Sequence, residues 1–81
     1  KVKTMMPNTF EYKGYVGRLT IDADDNLIYG LVINIERDTI TFRGETPAET
    51  KQDFQETIDE YLADCITDGI EADVPKVLAT P

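Results

Sequence analysis

A capped helix limits what this chain can fold into. Thr46 is followed by Pro47 and, three residues on, by Glu49. That is a capping box with proline at the first helical position. Thr46 should accept the N–H of Glu49, and the Glu49 carboxylate should reach back to the N–H of Thr46. Phe54, Ile58, Tyr61, Leu62 and Cys65 then recur at three- and four-residue spacing and make one apolar stripe. Gly69 stands where a left-handed residue ends a helix, and Ile70 follows as the hydrophobe of that motif. These signals predict one helix from Pro47 to Asp68, roughly six turns long. No other stretch supports so long an element. The rest of the domain should therefore pack on its stripe, with Cys65 as a buried core thiol.

The residues before the helix read as strands. Phe10 to Ile21 is rich in aromatic and β-branched residues and reads as one long strand. Neither of its faces is cleanly apolar. Gly14 and Gly17 suggest a bulge that brings Val16 into phase with Leu19 and Ile21. Asp22 to Asn26 is a polar turn. Leu27 to Ile35 is a nearly continuous apolar run, which suits the centre of a sheet. Glu36 to Asp38 turns the chain again, and Thr39 to Arg43 alternates with Ile40 and Phe42 on one face. The connections are too short for helical crossovers, so the strands should form an antiparallel meander with the helix across one face. After Gly69, Val77 and Leu78 could add a short edge strand, while Pro75 argues against a second helix. The expected class is α+β: a three-stranded antiparallel meander, with room for a short fourth strand, packed on one long helix in the order βββα(β). Residues 1–9 read as a flexible leader, 10–78 as the domain and 79–81 as a tail.

Charge narrows the function. The chain has 81 residues, 16 acidic and 8 basic, and a net charge of -8. A domain this small buries a limited fraction of its surface, so dimerisation or a bound partner would help its stability. Most of the acids lie between Glu45 and Asp73. Glu49, Asp53, Glu56, Asp59, Glu60, Asp64 and Asp68 face mostly away from the apolar stripe, and Lys51 is the only basic residue of the helix. Such a surface repels nucleic acid phosphate and attracts basic proteins. A merely solvated face is the plain alternative.

Several chemistries drop out. With no histidine, a histidine-based triad or metal site is excluded. One cysteine excludes an internal disulfide framework and a cysteine-based structural zinc site. No segment approaches about 20 continuous apolar residues, and the N-terminal stretch has no apolar run after its lysines, so it does not read as a signal peptide. The cytoplasm is the default location. Asp22, Asp24 and Asp25 look like the start of a Ca²⁺ loop, but the position of its closing glutamate, counted from Asp22, is Ile33. No glycine-rich phosphate loop follows any strand. Tyr12 and Tyr15 flank Lys13, but one lysine is a poor platform for nucleic acid. No catalytic set, metal or cofactor is implied, and the domain should act by binding. A basic protein partner fits the charge. Candidate contact residues are the aromatics Tyr12, Tyr15 and Tyr29, which the core could equally claim, and Asp53, Glu56, Glu60 and Asp64 on the helix.

The order of motifs is more specific. Tyr12-Lys-Gly-Tyr15-Val-Gly is followed by Asp22-Ala-Asp-Asp-Asn-Leu-Ile-Tyr29-Gly30-Leu-Val. Then come Asp38-Thr-Ile-Thr-Phe-Arg-Gly-Glu-Thr46, the helix reaching Ile58-Asp-Glu-Tyr-Leu62, and Gly69-Ile-Glu. This ordered set, covering roughly residues 10 to 77, resembles the HicB antitoxin family, the neutralising partner of a bacterial toxin–antitoxin pair. The resemblance implies a partial ribonuclease-H-like fold without nuclease activity. It implies a partner, a small basic HicA-like toxin that cleaves messenger RNA, whose active site the domain occludes. It also implies homo-oligomers, dimers or larger. Many members carry a further C-terminal DNA-binding domain, whereas the sequence in hand ends at Pro81. Direct DNA binding by these residues is not expected at this charge, nor is membrane association.

Two other classes compete. A degenerate Mg²⁺-dependent nuclease or hydrolase would use Asp22 and Asp24 with Glu56 and Glu60, since such sites need only one or two convergent carboxylates plus substrate phosphate. A homo-oligomeric regulatory or scaffold domain would have a partner unrelated to toxins.

Overall fold

The computed structural model describes residues 8–77. Residues 1–7 of the expected leader, Leu78 and the expected tail lie outside the described residues.

The long first strand of the sequence reading is two strands. β1 (Thr9–Tyr12) and β2 (Tyr15–Asp22) pair antiparallel from Thr9↔Arg18 to Tyr12↔Tyr15. Lys13 and Gly14 turn the chain between them, both at positive φ, 53° and 88°. Two left-handed residues in succession make the two-residue turn whose twist matches that of its strands. A turn, not a bulge, therefore resolves the mixed faces. It resets the alternation, so Phe10 and Tyr12 before it share a side with Tyr15, Gly17 and Leu19 after it. Thr9, expected in the leader, already belongs to β1.

β3 (Leu27–Val32) and β4 (Thr41–Gly44) complete a four-stranded antiparallel meander in the order β1-β2-β3-β4. The turn into β3 is built by Asp22, whose Oδ1 accepts the N–H groups of Asp24 at 3.0 Å and Asp25 at 3.3 Å. β3 is central, as its apolar run predicts, with β2 on one side and β4 on the other. It stops at Val32 because Asn34 to Asp38 is committed to the polar loop described below.

α1 (Pro47–Asp68) has the predicted bounds. Thr46 Oγ1 accepts the N–H of Glu49 at 3.1 Å. The return half of the box differs: the Glu49 carboxylate takes the N–H of Glu45, at 3.2 Å, and not that of Thr46. At the other end Gly69 has φ 67°. Its N–H bonds the Ile66 carbonyl at 3.2 Å, and the N–H of Ile70 bonds that of Cys65 at 2.9 Å. This paired closure satisfies the last carbonyls, although the Ile70 side chain itself stays exposed.

Phe54 and Ile58 of α1 are fully buried against Tyr15, Val32, Ile40 and Phe42. The Phe54 ring lies 4.7 Å from that of Phe42 and 6.2 Å from that of Phe10, centroid to centroid. Phe42 in turn lies on bare backbone. A Cβ at Gly30 would stand 2.0 Å from its ring, and one at Gly17 2.5 Å. Thr50, absent from the predicted stripe, is also fully buried. Its hydroxyl donates to the Thr46 carbonyl at 2.7 Å, so no polar atom is left unpaired. Cys65 is only partly buried, which corrects its placement in the core. A helix of 22 residues is about 33 Å long and outruns strands of four to eight residues.

Residues 70–77 form no strand, so the fourth strand comes from the split of the first and not from Val77. Polar groups hold this segment instead. Buried Asn34 accepts the N–H of Val16 and donates its amide to the carbonyls of Gly14 and Lys76, each at 2.9 Å. Asp73 is 6% exposed. Its Oδ2 receives the backbone N–H groups of Glu36, Arg37 and Asp38, the outer two at 3.1 and 2.9 Å. Those N–H groups, that of Asp38 foremost, hold the Asp73 carboxyl below its ordinary range. Tyr15 donates its hydroxyl to the Asp73 carbonyl at 2.7 Å. Tyr61 accepts the N–H of Asp73 at 2.6 Å and donates to the Asp38 carboxylate.

Candidate functional site

The helix covers one face of the sheet, leaving among the described residues two broad surfaces: the outer side of α1 and the other, bare face of the sheet.

The helix acids separate into two groups. Asp59 is tied to the β1–β2 turn: Lys13 Nζ bonds its Oδ1 at 2.8 Å, and the Tyr12 hydroxyl lies within 3.1 Å of both oxygens. The ammonium holds the Asp59 carboxyl below its usual range, and the carboxylate raises the lysine in return. Both side chains are about half exposed, 50% and 49%, so the pair adds little to stability. Asp53 accepts the backbone N–H of Arg43 in β4 at 2.9 Å. Glu49 is spent on the helix cap. These three serve the fold.

Further along, Glu56 receives only the amide of Gln52, at 3.0 Å. Glu60 and Asp64 bind no group among the described residues. Glu56, Glu60 and Asp64 succeed each other at four-residue intervals, so they form one exposed row with a rise of about 6 Å per step. No cation is interleaved with it.

The other face of the sheet is mixed in sign, with Arg18 and Arg43 on it and Glu11 and Asp22 nearer its margins. Since Gly17 and Gly30 face Phe42 and the helix, their neighbours Arg18 and Leu31 face out. The register aligns Arg18 with Leu31 and Thr41, and Thr20 with Tyr29 and Arg43. Arg18, Thr20, Tyr29, Leu31, Ile33 and Thr41 line a shallow hollow of about 470 Å³. Neither Arg18 nor Arg43 makes a side-chain hydrogen bond or ion pair with the described residues. By contrast Lys13 pairs with Asp59, Lys76 with Glu36, and Arg37 donates to the Glu71 carbonyl.

The seven residues singled out in the sequence are thus not one site. Tyr15 is a core residue, 3% exposed, its hydroxyl bonded inward, with burial and the nearby Asp73 charge raising its pKa. Tyr12 packs edge-on against Phe54 and holds Asp59. Tyr29 lies on the opposite face, in the hollow. Asp53 closes the sheet edge. Only Glu56, Glu60 and Asp64 remain together and exposed, with the Gln52 amide on Glu56 their one bond among the described residues. The two arginines were not singled out in the sequence, although the alternation of Arg18 with Leu19 and of Phe42 with Arg43 sets both opposite the core face. Among the described residues no three His, Cys, Asp or Glu side chains come together as metal ligands, and no helix is long and apolar enough to cross a membrane. Compared with protein-family models, with curated proteins and with solved structures, the chain matches none.

Proposed function

We propose that this chain is a HicB-like antitoxin domain that binds and inhibits a small basic ribonuclease without enzymatic activity of its own. The observation that carries the reading is the row Glu56, Glu60 and Asp64. These carboxylates have been left out of every structural role that the neighbouring acids perform. An evenly spaced line of negative charge presents a cationic protein with what a nucleic acid backbone presents, and competes for the same site. It also speeds encounter with that protein and rejects acidic ones. The ordered motifs over roughly residues 10 to 77 support the same reading, and with it a partial ribonuclease-H-like relationship for the sheet and helix. Such an inhibitor works in the bacterial cytoplasm, where its messenger-RNA-cleaving target acts.

The test is co-expression with the small basic protein encoded beside this gene. A co-purifying complex and relief of growth arrest are expected. Reversing Glu56, Glu60 and Asp64 to lysine should abolish both while leaving the fold intact. Absence of complex and of rescue would overturn the antitoxin reading. Unchanged binding by the reversed variant would show that the row is only a solvated face.

A further inference from the structure

The packing face of the sheet has one corner that the helix leaves uncovered. Phe10, Leu19, Ile21 and Ile28 share the side of the sheet that carries Phe42. They lie where α1 only begins, at Pro47. With Asn8 and Pro47 they line a groove of about 460 Å³. Ile21 is 73% exposed there. An isoleucine left in water on the packing face of a strand forgoes burial that would stabilise so small a domain.

The chain itself supplies an occupant of the right chemistry. Asn8 forms the lip of the groove, its carbonyl accepting the N–H of Leu19 at 2.7 Å. The residues just before it are Met5, Met6 and Pro7. Met6 and Met5 can stand up to about 7 and 10 Å from Asn8 along an extended chain. The far wall, Ile28, is in β3, about 10 Å across the sheet from β1. Both side chains therefore reach across the groove, and unbranched thioethers fill irregular apolar gaps well. Charge agrees. Lys1 and Lys3 belong to the same segment. Asp24 and Asp25 sit in the turn between Ile21 and Ile28, and Glu45 follows Gly44, the partner of Ile28. The carboxylates of these three accept no bond and pair with no base among the described residues. Arg18 and Arg43 lie on the opposite face of the sheet, and Lys51 lines a different hollow, beside Tyr12.

We propose that Met5 and Met6 dock into this groove within the same molecule, with Lys1 and Lys3 over the acids at its rim. The thioethers then cover Leu19, Ile21 and Ile28 and carry the core past the start of the helix. Tethering favours this occupant, because a segment joined directly to the lip of its groove is held there at an effective concentration of millimolar or above. The inference does not draw on the antitoxin reading. The groove lies at the beginning of α1 and the Glu56–Glu60–Asp64 row further along it, so docking leaves that row open.

Met5 and Met6 are the only methionines of the chain, so carbon-13 labelling of methionine methyls in the whole protein gives one NMR signal from each. Nuclear Overhauser contacts from these methyls to Ile21 and Ile28 are expected, with upfield shifts from the Phe10 ring, and both should vanish in concentrated urea. Ile21→Thr removes the exposed floor of the groove but keeps a β-branched strand residue. It should move both methionine signals toward their positions in urea while the rest of the spectrum stays folded. Methionine signals that sit at their urea positions in the folded wild type overturn the proposal. So do contacts confined to residues outside the groove, or an Ile21→Thr variant whose methionine signals match wild type. Contacts that fade on dilution would assign the groove to the methionines of a second copy and overturn docking within one molecule. None of these outcomes bears on the antitoxin reading, which its own co-expression test decides.

Discussion

Phe42 rests its ring directly on the backbone of Gly30, the residue paired with it across β3 and β4. The ring cannot lift away, because Phe54 packs on it at 4.7 Å. Gly30→Ala should therefore destabilise the domain by about 1–3 kcal/mol, the usual cost of overpacking a filled core. Gly69→Ala offers a contrast. That residue needs φ 67° but has open space around its Cα, so its cost should be purely conformational, about 1 kcal/mol. Urea unfolding of both variants measures the difference. Crystals of Gly30→Ala should show a displaced Phe42, and those of Gly69→Ala an unchanged core.

Asp73 governs the response to acid. Its folded carboxyl titrates lower than in the unfolded chain because three backbone N–H groups stabilise the anion. Its contribution is thus complete above the unfolded value, near pH 4, and is lost as pH falls through the folded one. Asp73→Asn should lower the melting temperature at neutral pH and flatten the loss of stability below about pH 4. Denaturant midpoints across that range check both effects.

Tyr61 governs the response to alkali. Burial, then its bond to the Asp38 carboxylate, pushes its hydroxyl from 10.0 up to about 12. A raised phenol stabilises the fold fully below the unfolded value and ceases to do so as pH climbs through the folded one. Tyr61→Phe should be less stable at pH 7 and should lose less stability between pH 10 and 12. Circular dichroism melts over that interval read the effect.

Neighbouring acids on the helix should behave differently. Asp53→Ala leaves the Arg43 N–H without its acceptor and should cost about 1 kcal/mol. Glu60→Ala removes no bond with the described residues and should change stability by less than about 0.5 kcal/mol. The same pair should reverse order in affinity for a basic protein, where Glu60 counts and Asp53 is already occupied. Urea unfolding and titration calorimetry together separate the two roles.

The helix was legible because its signals are local. Thr46, Pro47, Glu49 and Gly69 act within a turn of where they stand, and Phe54 and Ile58 repeat at the helical period. The hairpin at Lys13-Gly14 was not, since lysine rarely takes the left-handed position that asparagine or glycine fills in such turns. That omission concealed β1 as a separate strand. Asn34 and Asp73 were unreadable for a different reason. Their partners lie far off in sequence, at Gly14, Lys76 and Glu36 to Asp38, and nothing local distinguishes a buried Asp from an exposed one. The acidic row was visible as composition, but only the contacts of Asp53 and Asp59 show which carboxylates are free.

The bond from the Arg43 N–H to Asp53 bears on how the protein behaves when crowded. An antiparallel sheet has two margins, and runaway stacking into fibrils requires both to be open to new strands. Here the helix places a carboxylate on the outward amide in the middle of β4, which turns an incoming strand away. β1 is the other margin of the sheet. Two copies joined along β1 would bury that margin in both and present a sealed β4 at each end. Growth by strand addition then terminates at a pair, and the chain can be concentrated without seeding amyloid from its native sheet.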